Sequence, residues 1–151
     1  MTAEKEVHDR DIVEYARSVF QLESRCLLDL VESIDVSFVR VVEVLLRSDG
    51  RVVMTGMGKS GLIARKVAAT LASTGTPSFF MHPGEAYHGD LGMVTSEDVV
   101  VSISYSGETD EVLKLLPYIR ENGNYFVAMT GSKESSLAKA SDEHLYVGVE
   151  R

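Results

Sequence analysis

Cysteine, basic charge and long apolar runs are all scarce in this chain. Its single cysteine, Cys26, excludes an intrachain disulfide framework and fits a reducing compartment. Cys26 lies in an apolar helical pattern, which reads as a buried structural thiol. No apolar run approaches the ~20 residues needed to span a bilayer. Residues 1–10 are polar and charged, without the apolar stretch of a signal peptide, so a cytoplasmic location is expected. Lysine and arginine number 15 against 23 aspartates and glutamates, a net charge of -8. That balance argues against non-specific binding to nucleic acid or anionic membrane. Any anion site must therefore be local, built from backbone dipoles and a few cations. There is no internal repeat, low-complexity segment or linker. With 151 residues, 44% of them hydrophobic and 25% charged, the chain can bury a real core as one domain.

From 11 to 33, apolar residues recur at helical spacing: Ile12, Ala16, Val19, Phe20, Leu27, Leu30 and Val31, followed by Ile34. Asp35 or Ser37 can cap a second helix through Val41, Val42, Leu45 and Leu46, stopped by Asp49-Gly50. The rhythm then changes to short apolar runs alternating with helices. Strands are expected at 52–55, 78–81, 99–104, 125–130 and 145–149. Helices are expected at 62–74, ended by Gly75-Thr76-Pro77, at 109–121, bent by Pro117, and at 136–140. Strands apolar on both faces and alternating with helices predict an α/β fold. The expected form is a doubly wound, three-layer α/β/α sandwich on a five-stranded parallel sheet. The whole chain, 1–151, reads as a single domain, with N-terminal helices over about 11–47 and a sheet core over about 51–149. Ligands on such sheets bind beyond the carboxyl ends of the strands.

Two strand ends carry chemistry. The first is Gly56-Met57-Gly58-Lys59-Ser60-Gly61, between an expected strand and an expected helix. Such a turn aims backbone N–H groups and a helix N-terminus at an anion. It satisfies a dinucleotide fingerprint literally, but the second strand ends Phe79-Phe80-Met81-His82, without the acid that would hold a ribose. A P-loop would need glycine where Val53 stands. What remains is a compact turn that presents Lys59 and Ser60 beside a helix start. The glycines alone could serve merely to make the turn tight; Lys59 is a poor core residue there and favours function.

The second is Ser104-Tyr105-Ser106-Gly107-Glu108-Thr109, with a serine, a serine and a threonine around a glycine. Hydroxyls so placed can bond phosphate oxygens alongside free helix N–H groups. Ordinary N-capping by Ser106 or Thr109 needs one hydroxyl, not three. Ser60, Ser104, Ser106 and Thr109 can share one anion only if the first and third strands are neighbours. Glu108 and Glu111 read either as acids favoured by the helix dipole or, for one of them, as a base held over substrate. A third stretch, 82–92, is polar and glycine-rich, with His82, His88, Glu85 and Asp90. Its spacing matches no standard zinc pattern. A pocket-lining loop with an acid–base histidine is the preferred reading over a metal site, beside a purely structural loop.

Where these motifs meet, the chain resembles the sugar isomerase (SIS) domain family, and within it the arabinose-5-phosphate isomerases of Gram-negative bacteria. The resemblance rests on the 56–61 turn, on 69–80, on His82-Pro83-Gly84-Glu85-Ala86 with His88-Gly89-Asp90-Leu91-Gly92-Met93, and on Ser104-x-Ser106-Gly107-Glu108. It covers roughly Val41 to the end. The serine-rich strand end is shared by SIS domains generally; the 82–93 loop is specific to this subgroup. The resemblance implies an isomerase of D-arabinose 5-phosphate and D-ribulose 5-phosphate working through an enediol, in the synthesis of Kdo for lipopolysaccharide or capsule. No metal or other cofactor is implied. It implies that Gly58, Ser60, Ser104, Ser106 and Thr109 hold the sugar phosphate, that Lys59 and Glu111 act in the active site, and that His88 lines it. It further implies a homodimer or homotetramer, with apolar surface of the N-terminal helices covered by another subunit. Relatives continue past the last residue here into another active-site glutamate, a long helix and a further histidine, and many carry a pair of CBS domains. Two other functions remain open: a sugar-phosphate-binding SIS module without turnover, and an isomerase of another phosphosugar.

Overall fold

The computed structural model describes residues 2–149, with side chains described from Arg10 onward. The chain divides into two units. The first carries α1, Thr2–Val31, which begins before the start expected at 11. Its described side chains are largely solvent-facing, among them Ile12, Phe20, Leu22, Leu27 and Leu28. Cys26 on this helix is half-buried rather than fully buried.

The second unit, Asp35–Gly148, holds everything else. Its first helix, α2 (Val36–Arg47), is capped by Asp35, whose side chain accepts from the Ser37 amide. The remaining elements run β1 (Val52–Thr55), α3 (Gly58–Ser73), β2 (Ser78–Met81), α4 (Pro83–Ala86), a 3-10 turn (Asp90–Met93) and β3 (Val99–Ile103). They continue with α5 (Asp110–Leu113), α6 (Leu116–Asn122), β4 (Tyr125–Thr130), α7 (Ser136–Ala140) and β5 (Glu143–Tyr146). All strand pairings are parallel, in the order β2-β1-β3-β4-β5. This is a doubly wound order of flavodoxin-like type, whose topological switch point lies between β1 and β3.

The strands bury both faces, with side chains alternating between two apolar layers. Val53, Met81, Val100, Phe126 and Ala128 enter one layer, closed by Ala86, Leu91, Val112, Leu115, Ile119 and Leu137 from the elements after β2. Val52, Met54, Val99, Val101 and Val127 enter the other, closed by Val41 of α2 and by Ala64 and Ala68 of α3. The central strands β1, β3 and β4 thus alternate between layers without exposing a polar face, as a sheet covered on both sides requires, while the edge strands β2 and β5 are mostly half-buried.

Besides the α1 start and β3, which ends at Ile103 rather than 104, four features differ from the sequence reading. Helix α3 starts at Gly58, not at 62: its two glycines serve a left-handed φ at Gly58 and a close backbone approach at Gly61 rather than helix propensity. The helix expected at 109–121 is two, α5 and α6, with Pro117 in the first turn of the second. The 82–92 loop contains α4 and the 3-10 turn. Strand β5 lies at 143–146 rather than 145–149, because its polar residues are satisfied inside the fold. Glu143 is paired with Arg40 of α2, and His144 Nε2 lies 2.9 Å from Thr130 Oγ1 of β4.

Candidate functional site

Register pairs Thr55 at the end of β1 with Ser102 near the end of β3. The turns that follow these two strands therefore rise side by side at the switch point. In the β1–α3 turn the glycines have separate jobs. A Cβ on Gly56 would sit 2.7 Å from the Ile103 carbonyl oxygen, and one on Gly61 would sit 2.5 Å from that of Gly56. These two let strand, turn and helix close on each other. Gly58 has φ +53 and nothing within 4 Å of a Cβ position, so its requirement is conformational. Met57 occupies the N-cap without a capping side chain, and the first α3 bond is Gly61 N–H to Met57 O. The amides of Gly58, Lys59 and Ser60 are left without helical acceptors, and no acid stands in this first turn. Such an end favours negative charge. Lys59 is exposed and Ser60 half-buried beside it.

The 104–109 turn is more constrained. Ser104 is buried, its Oγ 2.7 Å from Thr109 Oγ1 and accepting from the Gly107 amide at 3.1 Å. Ser106 Oγ is exposed and accepts from the Glu108 amide at 3.2 Å. Thr109 precedes α5 at the N-cap position, yet its side chain makes no capping bond; it is spent on Ser104. Three hydroxyls are thus gathered on one turn, and neither Ser106 nor Thr109 caps α5. Gly107 has φ +67, and a Cβ there would lie 2.2 Å from Ser135 Oγ.

Glu111 lies in the first turn of α5, half-buried. The 82–93 segment is riveted over this region. Tyr87 Oη donates to the Lys114 carbonyl just past α5, and Tyr118 Oη of α6 donates to the Leu91 carbonyl at 2.9 Å. His88 stands exposed between α4 and the 3-10 turn, while His82 caps α4 by accepting from the Gly84 amide. Lys59, His88 and Glu111 make no hydrogen bond or ion pair with one another among the described residues.

The two acids left open by the sequence are separated by the structure. Glu108 Oε1 accepts from the Ser136 amide at 2.7 Å. That bond, with a second contribution from the Ser136 side chain and the charge of Lys139, holds its carboxyl below the ordinary glutamate range. Glu108 is therefore engaged across the turn, and Glu111 is the acid of the pair not so held. Sequence reading also passed over Ser135 and Thr130. The signal was available: Thr130-Gly131-Ser132, with Ser135 three residues before Ala138, is another hydroxyl-rich strand end before a helix.

The profile of the SIS domain matches residues 45–151. The arabinose 5-phosphate isomerase KdsD of Pseudomonas aeruginosa is 50% identical over 139 residues, 92% of this chain and 43% of that protein. The arabinose 5-phosphate isomerase KpsF of Escherichia coli O6:H1 is 47% identical over 135 residues, 89% of this chain and 41% of that protein. The chain spans about two fifths of the length of these curated relatives. Among solved structures, the c3406 protein of E. coli CFT073 in complex with arabinose 5-phosphate is similar at a TM-score of 0.88 and 45% identity, over 93% of this chain and 75% of that one.

Proposed function

This chain belongs to the SIS domain family, and on that premise we propose that it supplies the sugar-phosphate site of an aldose–ketose isomerase. The reaction is the interconversion of D-arabinose 5-phosphate and D-ribulose 5-phosphate through an enediol, feeding Kdo synthesis for lipopolysaccharide or capsule in the cytoplasm. The observation that carries the reading is the pairing of β1 with β3, which sets two anion-competent turns side by side at the switch point. In this reading Gly58, Ser60, Ser104, Ser106 and Thr109 hold the phosphate. Glu111 moves the proton between C2 and C1, Lys59 steadies the charge that develops on the sugar oxygens, and His88 lines the site. A positioned carboxylate and a cation suffice for proton transfer next to a carbonyl. We extend the proposal to self-association, as a homodimer or homotetramer. Its support is the exposed apolar side chains of α1, including Phe20 and Leu28, and those of Leu62 and Ile63 on α3.

The test is incubation with D-arabinose 5-phosphate in D2O, followed by NMR. Deuterium at C1 of the D-ribulose 5-phosphate formed, and at C2 of the D-arabinose 5-phosphate recovered, is the expected result. Saturable binding without exchange would make the chain a sensing module, and preferential turnover of another phosphosugar would reassign the substrate.

A further inference from the structure

Glu108 poses an electrostatic problem. It lies within the turn read as the phosphate site, where a free carboxylate would repel the ligand. The structure resolves this by turning the carboxylate away, onto the Ser136 amide in the first turn of α7. Helix α7 has no acid in its own first turn, so Glu108 supplies one from a residue 28 positions earlier.

The same junction is closed by two further contacts. The Leu137 amide donates to the Gly107 carbonyl at 3.1 Å, and Gly107 packs so tightly on Ser135 that no Cβ fits. Ser135 is itself fixed: its Oγ donates to the Ser132 carbonyl at 2.8 Å and accepts from the Ala138 amide at 3.3 Å. Behind it, the Gly131 amide donates to the Tyr105 carbonyl at 2.8 Å. The 104–109 turn is thus bonded to 131–137 at Tyr105, Gly107 and Glu108, while Ser106 is exposed.

We propose that Glu108 is a positioning residue, a latch that fastens the 104–109 turn to the start of α7 and so holds Ser104, Ser106 and Thr109 in their anion-binding arrangement. The inference rests on the reading of that turn as the sugar-phosphate site. It assigns Glu108 no contact with substrate.

The sign of one measurement separates a latch from a mere charge. If Glu108 acts only as a nearby negative charge, Glu108→Ala and Glu108→Gln should both tighten phosphate binding. If it is a latch, Glu108→Ala loosens the turn and weakens binding, whereas Glu108→Gln keeps a carbonyl acceptor for Ser136 and restores it. Binding of D-arabinose 5-phosphate and of inorganic phosphate is measured by calorimetry on the full chain. Amide exchange at Gly107 is followed by NMR in the same samples. The expected result is about tenfold weaker binding and faster Gly107 exchange for Glu108→Ala, with Glu108→Gln within about threefold of the parent; tenfold corresponds to about 1.4 kcal/mol. Equal or tighter binding by Glu108→Ala, or failure of Glu108→Gln to recover it, overturns the latch alone. A parent chain that binds neither probe overturns the phosphate reading of the turn, and the latch falls with it.

Discussion

Replacing each site glycine by alanine separates conformational from steric need. At Gly58 the backbone is left-handed, φ +53, and the added methyl meets nothing within 4 Å. Only the left-handed penalty applies, about 1–2 kcal/mol. At Gly56 no positive φ is involved, but the methyl would lie 2.7 Å from the Ile103 carbonyl oxygen. That atom is backbone and cannot swing away, so β1 and β3 must part locally, at about 1–3 kcal/mol for overpacking. At Gly107 both terms act: φ is +67, and the methyl would sit 2.2 Å from Ser135 Oγ and 2.4 Å from Ser135 Cβ. Rotating the serine relieves the first contact but not the second, so α7 must shift. The expected cost is about 2–5 kcal/mol, the sum of the left-handed and overpacking terms. Against a total stability of about 5–15 kcal/mol, Gly107→Ala is then severe and Gly58→Ala mild. Urea unfolding, with the slope checked for constancy, gives the three values. The expected order is Gly107, then Gly56, then Gly58. A Gly58→Ala loss as large as that of Gly107→Ala would refute the division of roles, as would a Gly107→Ala loss under about 0.5 kcal/mol, the size typical of an ordinary surface change.

Ser106→Ala should raise KM for D-arabinose 5-phosphate more than it lowers kcat, since phosphate is a binding handle remote from the reacting carbons; steady-state kinetics with an unchanged KM would remove Ser106 from the site. Glu111→Gln should lower turnover by about 10²–10⁴-fold with an unaltered circular dichroism spectrum, and near-normal turnover would pass the role of base to another acid. For Asp98, burial works to raise the carboxyl pKa, but bonds from the Arg51 side chain and from the Thr95 and Arg51 amides take it below the ordinary range. Its contribution to stability is therefore full above the unfolded pKa of about 4 and is lost as pH falls through the depressed folded value. Urea midpoints between pH 6 and pH 3 should fall more steeply for the parent than for Asp98→Asn, and parallel curves would contradict the assignment.

The core strands were legible because a sheet covered on both faces leaves unbroken apolar runs: Val52–Thr55, Ser78–Met81 and Tyr125–Thr130 stand at the expected positions. Strand β5 was displaced by two residues because Glu143 and His144 look like loop. Their partners, Arg40 and Thr130, lie 103 and 14 residues away, where no local pattern reaches. The hydroxyl cluster of 104–109 was legible as composition, since three hydroxyls exceed what a single cap uses. The distinction between Glu108 and Glu111 was not. Both sit near the start of one helix, and what separates them is the Ser136 amide, brought in by a strand and a loop. Local chemistry is written in the sequence; a residue held by a distant backbone group becomes visible only when the chain is folded.

The two ends of the sheet treat their polar groups in opposite ways. At the amino ends, Arg51 meets Asp98 through its amide and its guanidinium, and the Asn124 side chain donates to the Thr95 and Asp98 carbonyls at 2.6 and 2.8 Å. Each of these groups has a partner, as a structural junction requires. At the carboxyl ends, the hydroxyls of Thr55 and Ser102 are fully buried, paired in register, and without a hydrogen-bond partner. Each such orphan costs about 1–3 kcal/mol. Valine could fill the position of Thr55 with nearly the same shape and no orphan. The first turn of α3, which follows β1, has no side-chain cap and no acid. Among the described residues, the buried side-chain hydroxyls without a partner both lie on the strands that flank the switch point. A fold selected only for stability would leave such orphans at neither end, since they weaken whichever end holds them. In the proposed reading the donors open to an anion are the α3 amides, on a turn closed by the contacts of Gly56 and Gly61.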